Sequence, residues 1–222
     1  MPEFKNRTDA GQRLAQALQA KAYDNPVILA LPRGGVPVGL EVARALDAPM
    51  DLVMVRKIGL PGQPELAVAA IVNGDHPQTA INHSIAAQAG LTAQDIDRLS
   101  QAQLDEIKRR RGIYMKGRNP APLKGRTAIL VDDGVATGAT IRASLLAVRR
   151  QAPAKLVLAV PVAASDTLRQ LRNDADDVIC LSQPQPFFGV GAHYEDFTQT
   201  TDQDVIQLMK KADRLSTSHT RD

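Results

Sequence analysis

Tryptophan is missing from this chain, and its 222 residues include only one cysteine, three tyrosines and four phenylalanines. With Cys180 alone, neither an intrachain disulfide nor a cysteine-cluster metal site can form, which fits a reducing compartment. Its neighbours in DVICL read as a strand, so a packed thiol is expected there rather than a nucleophile. Long apolar runs are also lacking: Val157 to Ala164 is among the longest and is far too short to span a bilayer. The opening residues MPEFKNRTDAG have no apolar stretch of the kind a signal peptide needs, so a cytoplasmic protein is expected. The dinucleotide pattern G-x-G-x-x-G and the P-loop pattern ending in Gly-Lys-Ser/Thr are both absent. Charge of one sign does not dominate either, since the net charge of +3 is mild and suits a small anion as well as RNA.

What remains is an ordinary composition, 44% hydrophobic and 23% charged, in a chain long enough for one α/β domain with a substantial core. Apolar runs alternate with helical patterns. Pro26 to Leu31 reads as a strand, Pro37 to Leu46 as a helix, Asp51 to Val55 as a strand and Leu66 to Val72 as another. Thr92 to about Arg111 is a long amphipathic helix, and RNPAPLKGR leads from it to a strand at Thr127 to Val131. Lys155 to Val162, a helix opened by Ser165, and Asp177 to Leu181 complete the alternation. This order predicts an open parallel sheet with helices on both faces, its ligand lying beyond the carboxyl ends of the strands where strand order reverses.

One stretch concentrates chemistry at such an end. In ILVDDGVATGAT, Ile129 to Thr140, an apolar strand delivers Asp132 and Asp133, and Ala136 to Thr140 wrap into a helix that continues to about Arg150. Amides at a helix start lack intrahelical partners and the dipole adds positive charge, so a phosphate monoester fits there. Thr137 and Thr140 add hydroxyl donors, and Gly138 permits close backbone approach. Adjacent carboxylates accept hydrogen bonds from vicinal hydroxyls, so acids and loop together span one ribose 5-phosphate. The plainer alternative is an Asp-Asp turn before an ordinary capped helix.

VDDGVATGAT resembles the 5-phosphoribosyl-1-diphosphate (PRPP) binding motif of the type I phosphoribosyltransferases. The resemblance implies that Asp132 and Asp133 hold the ribose, and that Ala136, Thr137, Gly138, Ala139 and Thr140 hold the 5′-phosphate. It also implies a fold: one domain over residues 1–222, with a core at about 26–182, a small hood at about 184–200 and a helical insertion at about 84–118. The implied activity is transfer of the phosphoribosyl group of PRPP to a nitrogenous base with release of pyrophosphate, and a non-catalytic PRPP sensor that regulates RNA or a protein partner stays open beside it. Mg2+ is the implied cofactor, held mainly through PRPP and through water by Asp132 and Asp133. The implied partners are PRPP and a base, with no membrane or nucleic acid and with a homodimer left open. Where 6-oxopurine enzymes of the family place an Asp before the Thr-Gly, this chain has Ala136, as the adenine and uracil enzymes do. LPRGG and HYEDF resemble bacterial proteins described only as predicted phosphoribosyltransferases.

Two further strand ends carry cations. In LPRGG, Arg33, Gly34 and Gly35 follow the first strand, where the family's pyrophosphate loop lies, often with a non-proline cis peptide; the same three residues also make a plain tight turn. In VRKIG, Arg56 and Lys57 follow the next strand and resemble the basic pair that meets the leaving pyrophosphate, or else form a solvated pair. Arg33, Arg56 and Lys57 are thus the expected catalytic cations. LPGQPELA, which follows, has the Gly and Pro content of a mobile loop, and Glu65 in it is a candidate acid or base.

The scarce aromatics gather in QPFFGVGAHYEDF, which resembles the hood covering the base. Phe188 and Tyr194 are the expected acceptor-stacking rings, Tyr194 first because its hydroxyl favours a half-exposed position. The alternative is that these rings pack on each other and that His193 is structural. Lys108 to Arg111 ends the long helix, where cations complement the dipole, or forms an RNA-binding face.

Overall fold

In a computed structural model the backbone is described for residues 2–60, 63–72 and 78–217, and the side chains for these except 64–67, 78, 80, 83, 102, 216 and 217. The first half runs α1 (Arg7–Gln19), β1 (Pro26–Ala30), α2 (Gly35–Leu46), β2 (Met50–Leu52), β3 (Val55–Leu60), β4 (Gln63–Val72) and β5 (Gln78–Ile81). It continues through α3 (His83–Gln88), α4 (Ala93–Tyr114), β6 (Thr127–Val131), α5 (Ala139–Arg149), β7 (Lys155–Val162), α6 (Ser165–Leu171), β8 (Asp177–Ser182) and α7 (Asp202–Thr217).

Five strands form a parallel sheet in the order β2-β1-β6-β7-β8. Alternation along each strand feeds two separate cores, because successive side chains point to opposite faces. Ile28, Ala30, Ile129, Val131, Val157 and Ala159 join the core beneath α1, α2 and α7. Val27, Leu29, Ala128, Leu130, Leu156 and Leu158 join the core beneath α5 and α6. Both faces are therefore covered, and the parallel α/β architecture expected from the strand and helix order is the one present.

Strand order reverses between neighbours β1 and β6. The chain leaves β1 through α2 towards β2 and leaves β6 through α5 towards β7, so the right-handed crossover rule sends the two helices to opposite faces. A crevice between the loops that follow β1 and β6 is the geometric consequence.

The structure departs from the sequence reading at residues 51–81. The expected strand at Asp51 to Val55 breaks at Val53 and Met54, and the chain turns into a second, antiparallel sheet of order β3-β4-β5. Leu66 to Val72 belongs to this sheet and not to the parallel one, and Arg56 and Lys57 lie inside β3 rather than after a strand. The reason is the pairing of β3 with β4: Leu60 lies opposite Gln63, and Gln63 to Ala67 of LPGQPELA belong to β4. Pro61 and Gly62 themselves lie outside the described residues, as does the side chain of Glu65. The long helix is present as α4, opened by a reciprocal cap in which the Thr92 hydroxyl accepts from the amide of Asp95 and Asp95 accepts from the amide of Thr92.

Candidate functional site

At the end of β6, Asp132 and Asp133 enter the crevice between β1 and β6. Oδ1 of Asp132 accepts from the amide of Asp133 at 2.9 Å, and Oδ2 of Asp133 accepts from Nε of Arg7 at 2.7 Å. Burial raises both carboxyls above the ordinary carboxylate range, and the charge of Asp133 raises Asp132 further. Arg7 opposes the rise at both. Two adjacent carboxyls whose charged forms burial disfavours are suited to hydroxyl donors or to a cation, which would favour those forms.

The loop after the acids then turns into α5. Gly138 caps that helix at φ +72°, a left-handed conformation that side chains disfavour, and a Cβ there would come within 2.5 Å of the Thr167 methyl. Thr167 in turn donates its hydroxyl to the carbonyl of Ala136 at 2.7 Å, which ties the loop Ala136 to Thr140 to α6. The first turn of α5 carries no acidic residue, and neither does that of α2. α3 carries none there either, whereas α1, α4, α6 and α7 each place at least one aspartate in the first turn. The amino end of α5 is thus left able to receive an anion, whereas that of α2 lies against the Asp133 carboxylate.

LPRGG lies directly against the acids. A Cβ on Gly34 would come within 2.0 Å of Oδ2 of Asp133, and one on Gly35 within 2.7 Å of the Val131 carbonyl, so both glycines are required by close packing of the loop on the β6 end. The peptide bond between Pro32 and Arg33 is cis. Nη1 of Arg33 lies 3.3 Å from Oδ1 of Asp202, which also accepts from the Tyr114 hydroxyl at 2.6 Å.

Arg56 and Lys57 do not act as one pair. Adjacent residues in a strand face opposite sides, and β3 sends Arg56 to Glu106 of α4, 3.1 Å away. Lys57 instead lines a cleft of about 500 Å³ together with Thr137, Gly138, Ala139 and Arg142. The structure therefore brings Lys57 beside the loop from Ala136 to Thr140 and Arg56 beside α4.

The segment after β8 lies over the β6 end, with Val190 filling the space beside Gly134. Tyr194 is not half-exposed there. It is 4% exposed, its ring lies between Phe4 and Phe197 at 5.3 and 5.1 Å, and its hydroxyl donates to the carbonyl of Asp133 at 2.6 Å. The physical reason is the amino-terminal segment, which pairs with this one through Phe4 and Tyr194 and covers the ring. Burial also raises the Tyr194 phenol, so it stays neutral. Phe187 stacks on His193, which is buried, while Phe188 is 81% exposed. Among the expected acceptor rings, Phe188 alone keeps an open face.

Several site neighbours left no mark in the sequence. Arg7 reaches Asp133 across 126 positions and lies over the Phe197 ring at 3.9 Å, and Asp202 reaches Arg33 across 169. A lone Arg in RTDAG or a lone Asp in TTDQD has no local pattern that betrays such contacts. Cys180 behaves as expected of a packed thiol, its pKa pushed up to about 11 by burial. Among the described residues no group of three or more His, Cys, Asp or Glu could hold a metal ion.

Comparison with known proteins places this geometry. Residues 3–196 match the family described as the phosphoribosyl transferase domain. A Mycobacterium tuberculosis protein, found in strains CDC 1551 and H37Rv and named only provisionally as a phosphoribosyl transferase, is 44% identical over 214 residues. That alignment takes in 96% of this chain and 48% of the relative, so the chain spans about half the length of the curated relatives it matches. The crystal structure of TT1426 from Thermus thermophilus superposes with a TM-score of 0.83 at 40% identity, covering 95% of this chain and 99% of that one. The chain belongs to the phosphoribosyl transferase family.

Proposed function

We propose that the protein transfers the 5-phosphoribosyl group of PRPP to a nitrogenous base, with release of pyrophosphate. The observation that carries this reading is the β6 end, where two adjacent carboxyls directly precede the loop into α5, a helix whose first turn carries no acidic residue. A ribose 5-phosphate matches that arrangement: its hydroxyls meet Asp132 and Asp133 and its phosphate meets the loop from Ala136 to Thr140. Lys57, lining the cleft beside Thr137 and Gly138, serves the 5′-phosphate end. Arg33, with the Gly34 and Gly35 backbone, and Arg56 serve the diphosphate end.

As the bond from C1′ to the diphosphate lengthens, negative charge grows on the leaving group and positive charge on the ribose ring. Guanidiniums on one side and paired acids on the other oppose each change, which lowers the barrier by fixed electrostatics. Tyr194, Phe4 and Phe197 hold the covering segment against the β6 end, and Phe188 offers an uncovered face to the acceptor base.

Magnesium suits the donor set in part. Asp132 and Asp133 supply hard carboxylate oxygens, but with no third acidic ligand grouped with them among the described residues, PRPP itself would provide much of the coordination. When bound, the ion would neutralise diphosphate charge.

The test is incubation of the protein with magnesium, PRPP and a panel of purine and pyrimidine bases, following pyrophosphate release. Base-dependent release supports the reading, whereas tight PRPP binding with no release for any base points to a PRPP-binding protein without catalysis.

A further inference from the structure

The positive groups near LPRGG do not end with those the sequence singles out. Glu106 of α4 accepts from Nε of Arg110 at 2.7 Å and from Nε of Arg109 at 2.7 Å, besides pairing with Arg56. One turn beyond Arg110 along the same helix, the Tyr114 hydroxyl meets Asp202, and Asp202 meets Arg33. A cavity of about 30 Å³, room for one water-sized group, is lined by Pro32, Arg56, Arg110 and Tyr114 together with apolar side chains. The cluster thus holds four guanidiniums, Arg33, Arg56, Arg109 and Arg110, against two carboxylates, Glu106 and Asp202.

Its ion pairs are of a kind that a stronger anion displaces. Arg33, Arg56 and Arg110 keep 32, 32 and 31% of their side chains exposed, and Asp202 keeps 43%. Pairs as open to solvent as these are screened by it and contribute at most modestly to stability. They orient the guanidiniums before ligand arrives without withholding them. A helix face that merely complemented its own dipole would not share a cavity with the loop after β1.

We propose that α4 and α7 complete the diphosphate half of the site: Arg110 is a third binding guanidinium beside Arg33 and Arg56, and Asp202 fixed by Tyr114 is the positioning group for Arg33. This rests on the PRPP reading above. The ligand class is a diphosphate or diphosphate ester, whose several oxygens can accept from planar forks on three different elements at once. Arg33 comes from the loop after β1, Arg56 from β3 and Arg110 from α4, so the diphosphate would bridge the parallel sheet, the hairpin and the helical insertion.

The experiment titrates magnesium diphosphate and, separately, ribose 5-phosphate into wild type, Arg110→Ala, Arg110→Gln and Tyr114→Phe by calorimetry, with a thermal melt of each variant. Both Arg110 variants should bind diphosphate about tenfold or more weakly, the effect of losing a hydrogen bond to a charged group, and should bind ribose 5-phosphate within twofold of wild type. Tyr114→Phe keeps every charge and removes only the bond that fixes Asp202, and should weaken diphosphate about threefold. Unchanged diphosphate affinity in both folded Arg110 variants overturns the proposal. Wild type that binds ribose 5-phosphate but not diphosphate also overturns it and leaves the acid pair and phosphate loop standing. Diphosphate binding without ribose 5-phosphate binding has the opposite meaning: the PRPP reading falls and the guanidinium cluster stands as an anion site.

Discussion

The two ends of the crevice are built differently. The β6 end comes from one run of twelve residues, Ile129 to Thr140, and is tied into the fold by a strand, a helix start, Arg7 and the ring of Tyr194. The end proposed here for the diphosphate collects Arg33, Arg56, Arg110, Asp202 and Glu106 from separate elements, and its contacts are part-buried ion pairs. One end therefore depends on local geometry and burial, the other on charges that tertiary packing brings together. Substitutions at the first should disturb folding and binding alike, while those at the second should disturb binding alone.

Asp133→Ala gives the largest expected effect. Arg7 and Asp133 keep only 11 and 15% of their side chains exposed, and removal of one partner of a well-buried pair costs about 3–5 kcal/mol. Because Arg7 retains the Thr198 carbonyl and the Phe197 ring, a loss of about 2–4 kcal/mol is expected, measured by denaturant unfolding. Arg33→Ala and Arg56→Ala should each stay within about 1 kcal/mol of wild type. Equal losses at both ends would erase the distinction.

Gly34→Ala comes next. The backbone there is ordinary at φ −63°, so the effect is steric: the added methyl meets the Asp133 carboxylate, and either the loop or the acid must move. Overpacking of this kind costs about 1–3 kcal/mol, and PRPP affinity should fall with it. Retained stability together with retained affinity would show that the two loops are not packed as described.

Phe188 and Tyr194 sharpen the contrast within the covering segment. Tyr194→Leu loses ring contacts and the bond to Asp133, and should lower the melting temperature. Phe188→Leu should leave stability within about 0.5 kcal/mol, as surface changes usually do, yet raise the acceptor KM about fivefold or more if its open face stacks on the base. Unchanged KM for Phe188→Leu would move the acceptor elsewhere.

The smallest effect has a sign set by titration. Asp132 is raised in the folded state, so the folded protein holds this proton more tightly than the unfolded chain does. Its contribution is fully present below the ordinary carboxylate pKa and is lost as pH rises through the raised value. At neutral pH the ligand-free protein is accordingly destabilised by Asp132. Asp132→Asn should melt higher than wild type at pH 7, and the gain should shrink as pH falls towards about 4, the ordinary carboxylate range. A gain independent of pH would remove the electrostatic explanation.

Much of this was legible from residue order, and the limits have physical causes. The alternation of strands and helices predicted the parallel sheet, and the acid pair with its glycine loop was contiguous enough to be read directly. The hairpin was not, because Arg56 and Lys57 look like the end of a strand, and only pairing of β3 with β4 shows that they continue one. The burial of Tyr194 is not legible in its own segment, because its cover comes from Phe4, near the other end of the chain, through one isolated bridge. Asp202 and Arg7 act across most of the chain length, and α1 and α7, which carry them, fell outside the elements read from the sequence.

The most direct test of the central claim is a calorimetric titration of PRPP with magnesium into wild type and into folded Asp132→Asn. Asn keeps the acceptor oxygen for the Asp133 amide and removes the charge that would hold the ribose hydroxyls. Wild type should bind and the variant should bind about tenfold or more weakly, the loss of a hydrogen bond to a charged group. Equal affinity in the two proteins, or no binding by wild type, would contradict the assignment of the β6 end as the ribose 5-phosphate site.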